Sequence, residues 1–444
     1  MLTMLGSDGT SKLLCLLLGS SQLVASTPSG DSQVVLGGFR ETSGPRPPHV
    51  VDDAIMAALA KHPDPVDAFV ALHPEAVKEL TEPKLLHLQG EEKPQWMTEG
   101  DKLRLRRQHK KFVDITDHYE FYAQHVGIQA GKAHLPNFTK QPLVRPLLHQ
   151  VSTQRMYDDL EHLTGFYNRW FGGATGEESA QWIHDQIAQI IAEAPLHSYI
   201  SLEYFTHPFP QPSIIARFEP KVRNWSLPLT VIGAHQDSAN YLFPLLPAPG
   251  ADDDGSGTVT ILEAFRVLAT NGFTPKDGPV EFHWYAGEEG GNLGSNLVAC
   301  YKKESGARIG AMVEFDATAF VATNSTESIV LVKTQADDPL TEWISKLGEE
   351  YTSLPSLITT LDPRGGSDYM SYTKLGYPSA FATEGDPSAG GVFPGDYNPY
   401  MHTVNDTMYV DDETGKFSFD HMAEFCKLAI AFAVEQAGWD NVWR

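Results

Sequence analysis

The chain has 444 residues, 41% of them hydrophobic, and carries 33 Lys and Arg against 57 Asp and Glu, for a formal charge of -24. This composition excludes a disordered chain, allows one large core plus a smaller unit, and disfavours nucleic acid and anionic membranes as partners. Because no stretch reaches the roughly 18 consecutive apolar residues of a membrane span, we expect none.

The N-terminus has the features of a secretory signal peptide. An apolar run, Leu13 to Leu18, follows Lys12 and precedes small residues near Ala25. This pattern predicts a signal peptide over residues 1–26 and a secreted, extracellular protein. Asp8 and the short apolar run leave a cytosolic location as the alternative.

The cysteines fit either of two states in the mature chain. Cys15 lies in the predicted signal, whereas Cys300 and Cys426 lie in two predicted helices. An oxidising compartment allows one disulfide between them, and two buried free thiols are the equal alternative. Glycosylation sequons, which agree with secretion, begin at Asn137, Asn224, Asn324 and Asn405.

Residues 27–139 differ in composition from the rest of the chain. They are dense in Pro and charge, with helices predicted over 51–61 and near 65–80, and residues 136–146 are predicted to form a linker. The basic stretch Lys102–Lys111 is either a solvated helix face or part of a pro-segment that docks on the acidic unit after it. Arg106-Arg107 and Lys110-Lys111 are candidate processing sites.

From Ser152 onward, helices and strands alternate. The predicted helices run from Ser152 toward Phe166, from a capping box at Thr175–Glu178 toward Ala192, and over 257–269, 292–303, 339–351 and 417–436. The predicted strands span 199–206, 214–218, 229–234, 280–286, 309–315, 329–333 and 379–382. This order predicts an α/β fold with a mixed, mostly parallel central sheet flanked by helices.

Polar residues suited to metal chemistry follow the predicted strands. His235 and Asp237 lie just past the strand 229–234, where ligand sites of open α/β sheets gather. A neutral His235 can bind zinc while Asp237 accepts a hydrogen bond from its other ring nitrogen. A core histidine beside a helix-capping aspartate is an equally good interpretation of this pair alone.

Four further fragments carry carboxylates or histidine. The triplet Asp252–Asp254 lies between glycines, Glu288-Glu289 and Asp316 follow strands, and His402 lies in a loop rich in Tyr and Pro. Taken singly, each is as well explained by an acidic surface turn or an exposed histidine. Together, two histidines and three carboxylates near strand ends form a ligand set for two divalent cations, which need a bridging carboxylate.

The order of these motifs resembles that of the secreted co-catalytic zinc aminopeptidases, the fungal and bacterial leucyl aminopeptidases. His-x-Asp-Ser, Gly-Ala-Asp-Asp-Asp-x-Ser-Gly, Glu-Glu, Asp and His-Thr-x-x-Asp-Thr follow one another over roughly residues 140–440, and segments 96–99 and 111–116 resemble fungal precursors. The resemblance implies a zinc exopeptidase fold, with a signal peptide over 1–26, a pro-segment over 27–139 and a catalytic domain over 140–444.

The resemblance also implies a role for each site residue. The ligands of two zinc ions per chain would be His235 and Asp316 on one ion, Glu289 and His402 on the other, and Asp253 between them. Glu288 would be the general base of catalysis, and Asp237 would support His235. The substrate would be the N-terminus of a peptide or protein, and the pro-segment would act as inhibitor or chaperone of a monomeric enzyme.

The sequence determines least well which side chain is preferred at the first residue of the substrate. A Leu-like first residue is expected, with Tyr397, Met401 and Phe393 as pocket candidates by position. Family members often carry a Cys-x-x-x-Cys loop with a Tyr before the Ser-Asp that matches Ser367-Asp368; here both Cys are absent and Arg364 stands near the Tyr position. Arg364 either favours an acidic substrate group or pairs with Asp362.

Three other interpretations remain open from the sequence. A glutaminyl-cyclase-like transferase would bind one zinc ion, a carboxypeptidase-type relative would carry an added lid domain, and a catalytically silent binding protein would have lost a ligand or the base. The complete ligand set favours the aminopeptidase.

Overall fold

The computed structural model describes residues 51–125, 131–195, 198–222, 224, 226–361, 365–391 and 394–440. The predicted signal peptide, residues 1–26, lies outside these described residues. Among them, no helix combines the length and the apolar character needed to cross a membrane.

Short helices and a small antiparallel sheet make up the described N-terminal part of the chain. These elements are α1 (Asp53–Lys61), α2 (Pro65–Leu72), α3 (Val77–Leu80), β1 (Pro83–Leu88), β2 (Gln95–Thr98), α4 (Glu99–Arg107), β3 (Phe112–Asp114) and α5 (Tyr119–His125). The strand order is β2-β1-β3. The single helix expected near 65–80 is broken between α2 and α3 at Pro74, which lacks a backbone N–H.

The basic stretch Lys102–Lys111 is mostly helix α4 and is not a solvated helix face. Lys102 is buried and forms ion pairs with Asp114 at 2.6 Å and with Glu99 at 2.8 Å. Arg106 is also buried. The sequence indicated basic charge at this helix but could not show that two of its cations point inward.

The rest of the chain alternates helices with the strands of the main sheet. Its helices are α6 (Gln141–Leu148), α7 (Thr153–Thr164), α8 (Ala174–Glu193), α9 (Gly257–Thr270), α10 (Leu293–Glu304), α11 (Asp338–Tyr351), α12 (Tyr369–Lys374) and α13 (Phe419–Ala437). Its strands are β4 (Ile200–Phe205), β5 (Ser213–Phe218), β6 (Leu229–His235), β7 (Val280–Tyr285), β8 (Ile309–Phe315), β9 (Phe320–Ala322), β10 (Ile329–Val332), β11 (Ser356–Thr359), β12 (Ser379–Thr383) and β13 (Gly415–Phe417).

An eight-stranded mixed sheet forms the centre, in the order β11-β10-β12-β8-β6-β7-β5-β4. The strands β12, β8, β6 and β7 run parallel, whereas β10 pairs with β12, and β5 with both of its neighbours, in antiparallel register. Strands β6, β7 and β8 are buried along their whole length, as helices on both faces require. The predicted mixed α/β fold is confirmed.

The start of α7, the start of α8 and the predicted linker were three local predictions from the sequence. Ser152 caps α7 by accepting a hydrogen bond from the Arg155 N–H at 3.3 Å, as predicted. The capping box at Thr175 is wrong, because α8 begins at Ala174 after Gly173, and the Thr175 hydroxyl donates to Asn168 at 3.1 Å. The predicted linker over 136–146 contains the start of α6.

The two cysteines of the described chain are separate free thiols. Cys300 and Cys426 are both buried and unbonded, so the disulfide alternative is wrong. Burial raises the pKa of the Cys300 thiol to about 12, which keeps it protonated and unreactive.

Candidate metal centre

Three adjacent parallel strands carry the predicted site residues at one end of the sheet. His235 is the last residue of β6, Glu288 and Glu289 follow β7, and Asp316 follows β8. Since β6 lies between β7 and β8, the carboxyl ends of all three meet at the same edge. Asp253 reaches this edge from the turn that leads into α9, at the amino end of that helix.

The structure brings the five predicted metal ligands together around Asp253. One oxygen of Asp253 lies 3.1 Å from His235 Nε2, which in turn lies 3.7 Å from Asp316 Oδ1. The other oxygen lies 2.6 Å from His402 Nε2, which lies 3.8 Å from Glu289 Oε1. Asp253 therefore faces two clusters, one through each of its carboxylate oxygens.

The outer members of the Asp252–Asp254 triplet bind backbone groups. Asp254 lies close enough to His235 and Asp316 to serve as a ligand, but its oxygens accept hydrogen bonds from the N–H groups of His235 at 3.1 Å, Gly257 at 2.8 Å and Ala317 at 3.1 Å. Asp252 accepts the N–H of Ala319 at 3.1 Å. Asp254 and Asp252 thus tie the turn to neighbouring loops, while Asp253 faces the two histidines.

Asp237 connects the His235 loop to the Glu288-Glu289 turn. Its two oxygens accept the backbone N–H groups of Glu288 at 3.0 Å and Glu289 at 3.1 Å. The Nδ1 atom of His235 lies 3.2 Å from the Asp237 carbonyl oxygen and 3.5 Å from its carboxylate. Asp237 therefore connects His235 to the backbone of Glu288 and Glu289, and its supporting role stays a prediction.

The charges of the cluster fit a site for a bound metal cation. Both side-chain oxygens of Glu289 are buried and accept no hydrogen bond from the described protein. Burial raises the pKa of Glu289 to about 8, with His402 opposing the shift. Burial lowers the pKa of His402, but the carboxylates of Glu289 and Asp253 outweigh it and raise the value to about 9. A buried carboxylate without a hydrogen bond needs positive charge nearby. His, Asp and Glu side chains together form a zinc ligand set.

Glu288 lines a cavity of about 410 Å³ beside the two clusters. Its buried carboxylate forms an ion pair with the ammonium group of Lys111 from the N-terminal part of the chain. Burial raises the pKa of Glu288 above its usual value, although Lys111 opposes the shift. A raised carboxyl pKa suits a general base that works near neutral pH.

Two of the four predicted pocket residues line this cavity. Tyr397 and Met401 contribute to its wall, whereas Phe393 and Arg364 lie outside the described residues. Leu361 and Phe381, which the sequence did not single out, add apolar surface beside Asp316. The lining of the cavity combines acidic groups with apolar side chains.

Tyr241 is a site residue that sequence reasoning missed. Its ring stacks on the His402 ring with centroids 3.6 Å apart and an angle of 2° between the planes. Its backbone N–H donates to the His402 carbonyl at 3.0 Å. The φ of His402 is 60°, in a left-handed region that costs a non-glycine residue about 1 kcal/mol or more. Tyr241 thus holds both the ring and the backbone of His402.

Arg169 was missed as well. It is buried and donates to the carbonyl groups of Gln236 and Gly250, both at 2.8 Å, and of Pro249. It therefore joins the loop after β6 to the turn that carries Asp253. No motif marks this arginine, because its partners are backbone carbonyls.

Comparison with known proteins gives concordant matches. The family model described as peptidase family M28 matches residues 213–426. Leucine aminopeptidase 1 of Chaetomium globosum is 36% identical over 357 residues, which cover 78% of this chain and 83% of the relative. Leucine aminopeptidase 1 of Coccidioides posadasii is 36% identical over 385 residues, which cover 84% and 94%.

Solved structures match the fold over most of the chain. The LapA aminopeptidase of Legionella pneumophila superposes with a TM-score of 0.65 at 26% identity, covering 81% of this chain and 95% of LapA. BSAP, a zinc aminopeptidase from Bacillus subtilis, superposes with a TM-score of 0.50 at 16% identity, covering 66% and 97%, which shows the fold alone.

We expect Tyr241→Leu to weaken zinc binding at the cluster that contains His402 by about 10-fold, the scale of contacts that orient a metal-binding histidine. Tyr241→Phe keeps the stacked ring and should bind zinc as the wild type does. The zinc content per chain, measured at increasing concentrations of a competing chelator, tests this expectation. Tyr199→Leu, at an exposed position, is the control. Equal zinc retention in the two Leu variants would remove Tyr241 from a positioning role.

Proposed function

The chain belongs to peptidase family M28 and is a zinc-dependent aminopeptidase, and we propose that it releases apolar N-terminal residues from peptides with two zinc ions and Glu288 as general base. The observation that carries the proposal is the placement of Asp253, whose two oxygens each face a different histidine. A carboxylate in this position is what a two-metal hydrolytic site requires.

The proposed ligands follow from the two clusters. His235 and Asp316 would hold one zinc ion, His402 and Glu289 would hold the other, and Asp253 would be shared. Bound zinc supplies a Lewis acid for the scissile carbonyl and lowers the pKa of the attacking water. Asp254 and Asp237 hold the surrounding loops in place by accepting hydrogen bonds from their backbone N–H groups.

Glu288 is the proposed base because its carboxylate lines the cavity and belongs to neither ligand cluster. It takes the proton from the attacking water and passes it to the departing amine, so one carboxylate serves both halves of the hydrolysis. The Asp237 carboxylate accepts the backbone N–H groups of Glu288 and Glu289. These hydrogen bonds fix the proposed base, Glu288, relative to the proposed ligand, Glu289.

Cleavage at the N-terminus would follow from recognition of a free amine. The neutral α-amine of a peptide, a group that internal residues lack, would bind at the metal site that Asp253 and Asp316 present to the cavity. Apolar surface from Leu361, Phe381 and Met401 suits a Leu-like side chain. The site would therefore recognise a free amine and an apolar side chain together.

We further propose that the protein is a secreted, monomeric zymogen. The predicted signal over 1–26 and the sequons support secretion, and Asn137, Asn324 and Asn405 are exposed. The proposed inhibitor is the pro-segment, residues 27–139, whose residues Gln108, His109 and Lys111 line the cavity. The glutaminyl cyclase and silent-protein alternatives are less well supported, because side chains of suitable type occupy every proposed ligand and base position.

Replacement of Glu288 by Gln should lower kcat by at least about 100-fold, because proton transfer by a positioned side chain contributes on that scale. Zinc content should stay at the wild-type level. The measurement is leucine release from leucine p-nitroanilide by variants in the same processed form, with the exposed Glu342→Gln as control. Near-normal kcat in Glu288→Gln would assign the base elsewhere.

Replacement of Asp253 by Asn should reduce bound zinc from two ions per chain to one or none, since a neutral amide bridges cations poorly. Elemental analysis after dialysis against trace zinc measures this. Asp252→Asn changes the neighbouring carboxyl that binds a backbone N–H and should retain more zinc. A wild-type value of one ion per chain would contradict the shared role of Asp253.

A further inference from the structure

Two apolar walls of the cavity come from separate parts of the chain. One wall includes Leu361, which follows the edge strand β11, and the other includes Pro394 and Tyr397, from the loop of residues 386–397. The cysteines of the described chain are free thiols, so no disulfide joins the two walls there. Noncovalent contacts between the described residues therefore set the distance between the walls.

The wall that contains Leu361 is fixed to the main sheet. Strand β11 pairs in parallel with β10, and the Lys333 N–H that follows β10 donates to the Thr359 carbonyl at 3.0 Å. The Leu361 N–H donates to the Thr334 hydroxyl at 2.8 Å. Thr359 and Leu361 are both buried. This wall is therefore held by backbone contacts along its length.

The wall that contains Tyr397 is attached through Asp386. The Asp386 carbonyl accepts the Asp396 N–H at 2.9 Å, which closes the base of the loop beside Tyr397. Gly395 has a φ of 61°, and a Cβ there would lie 2.3 Å from the same carbonyl, so glycine allows the two arms of the loop to approach this closely. A movement of Asp386 would therefore be transmitted to Tyr397.

The side chain of Asp386 joins this loop to the fixed wall. Its Oδ1 accepts the Thr359 hydroxyl at 2.7 Å, and it also accepts the N–H and the hydroxyl of Ser388 at 2.9 and 2.8 Å. Burial raises the pKa of Asp386, but the hydrogen bonds from Thr359 and Ser388 outweigh it and lower the value, so the carboxylate is charged at neutral pH. A hydrogen bond to a charged group is stronger than one between neutral groups. The Thr359–Asp386 hydrogen bond thus connects the two walls.

The outer part of the loop has room to move. Gly390 and Gly391 are exposed, and a Cβ added at either position would meet no described atom within 4 Å. The end of the loop is held separately, because the Asn398 N–H donates to the Glu384 carboxylate at 2.9 Å. Without the side-chain contact of Asp386, the loop would therefore shift outward while its end stays in place.

We propose that Thr359 and Asp386 are positioning residues that determine specificity, because their hydrogen bond holds the cavity at the width of a Leu-like side chain. The inference rests on the proposed function and specifies how that site selects the first residue of its substrate. Within the described residues, neither side chain is hydrogen-bonded to a proposed zinc ligand or to Glu288. Their effect is therefore on the binding of the substrate side chain and not on the hydrolytic step.

The first experiment measures binding without turnover. Zinc-loaded proteins in the same processed form are titrated calorimetrically with leucine hydroxamate and phenylalanine hydroxamate, which share a free amine and a zinc-binding group. Thr359→Val removes the hydrogen-bond donor and keeps the shape, and it should lower the preference for the leucine compound by about 10-fold, the scale of one methylene group in an apolar pocket. Asp386→Ala should do the same. Thr359→Ser keeps the hydroxyl and should match the wild type, as should the control Thr323→Val, at an exposed position.

The second experiment separates KM from kcat with leucine and phenylalanine p-nitroanilides. In Thr359→Val and Asp386→Ala, KM for the leucine substrate should rise several-fold while kcat stays near the wild-type value, as expected when binding alone is weakened. The double variant should resemble each single variant, because both substitutions remove the same hydrogen bond.

Two results would overturn the inference. An unchanged preference between the two hydroxamates in Thr359→Val and Asp386→Ala, with zinc content and melting temperature as in the wild type, would show that this hydrogen bond does not set the width of the cavity. Equal losses of affinity for both hydroxamates, with a lower melting temperature, would show a merely structural role. Absence of amino-acid release from every form, with the hydroxamate preference changed as expected, would instead count against the proposed function.

Discussion

Several buried carboxylates lie together at the carboxyl end of three parallel strands. The fold requires that their negative charge be offset. Some of the acidic side chains there accept backbone N–H groups: Asp254 accepts three of them, and Asp237 accepts two. Asp253 instead faces two histidines, and Glu289 accepts no hydrogen bond from the described protein. Buried carboxylates held in this way need positive charge from elsewhere, which the proposed zinc ions would provide.

The same charge explains the basic helix of the N-terminal segment. An acidic chain places several cations in one short stretch, and the structure turns Lys102, Arg106 and Lys111 inward. Lys102 neutralises carboxylates within and beside its own helix, while Arg106 and Lys111 reach the residues that follow β7. These internal cations therefore offset part of the negative charge of one acidic region.

Sequence reasoning predicted the main sheet well because its central strands are buried on both faces. Runs such as 229–234 are mostly apolar and have the length of a buried strand, and the site residues follow their ends. The N-terminal sheet was missed because its strands have three to six residues and lie among Pro and charged residues. The separate roles of Asp252, Asp253 and Asp254 cannot be derived from residue type, since three identical side chains differ only in where the turn directs them. Tyr241 was missed because a stacking contact leaves no spacing pattern.

Anomalous diffraction from crystals of the zinc-loaded protein, collected on both sides of the zinc absorption edge, tests the central claim most directly. We expect two zinc peaks about 3.5–4 Å apart, one on each side of Asp253, with His235 and His402 on different peaks. A single peak, or two peaks that do not share Asp253, would contradict it.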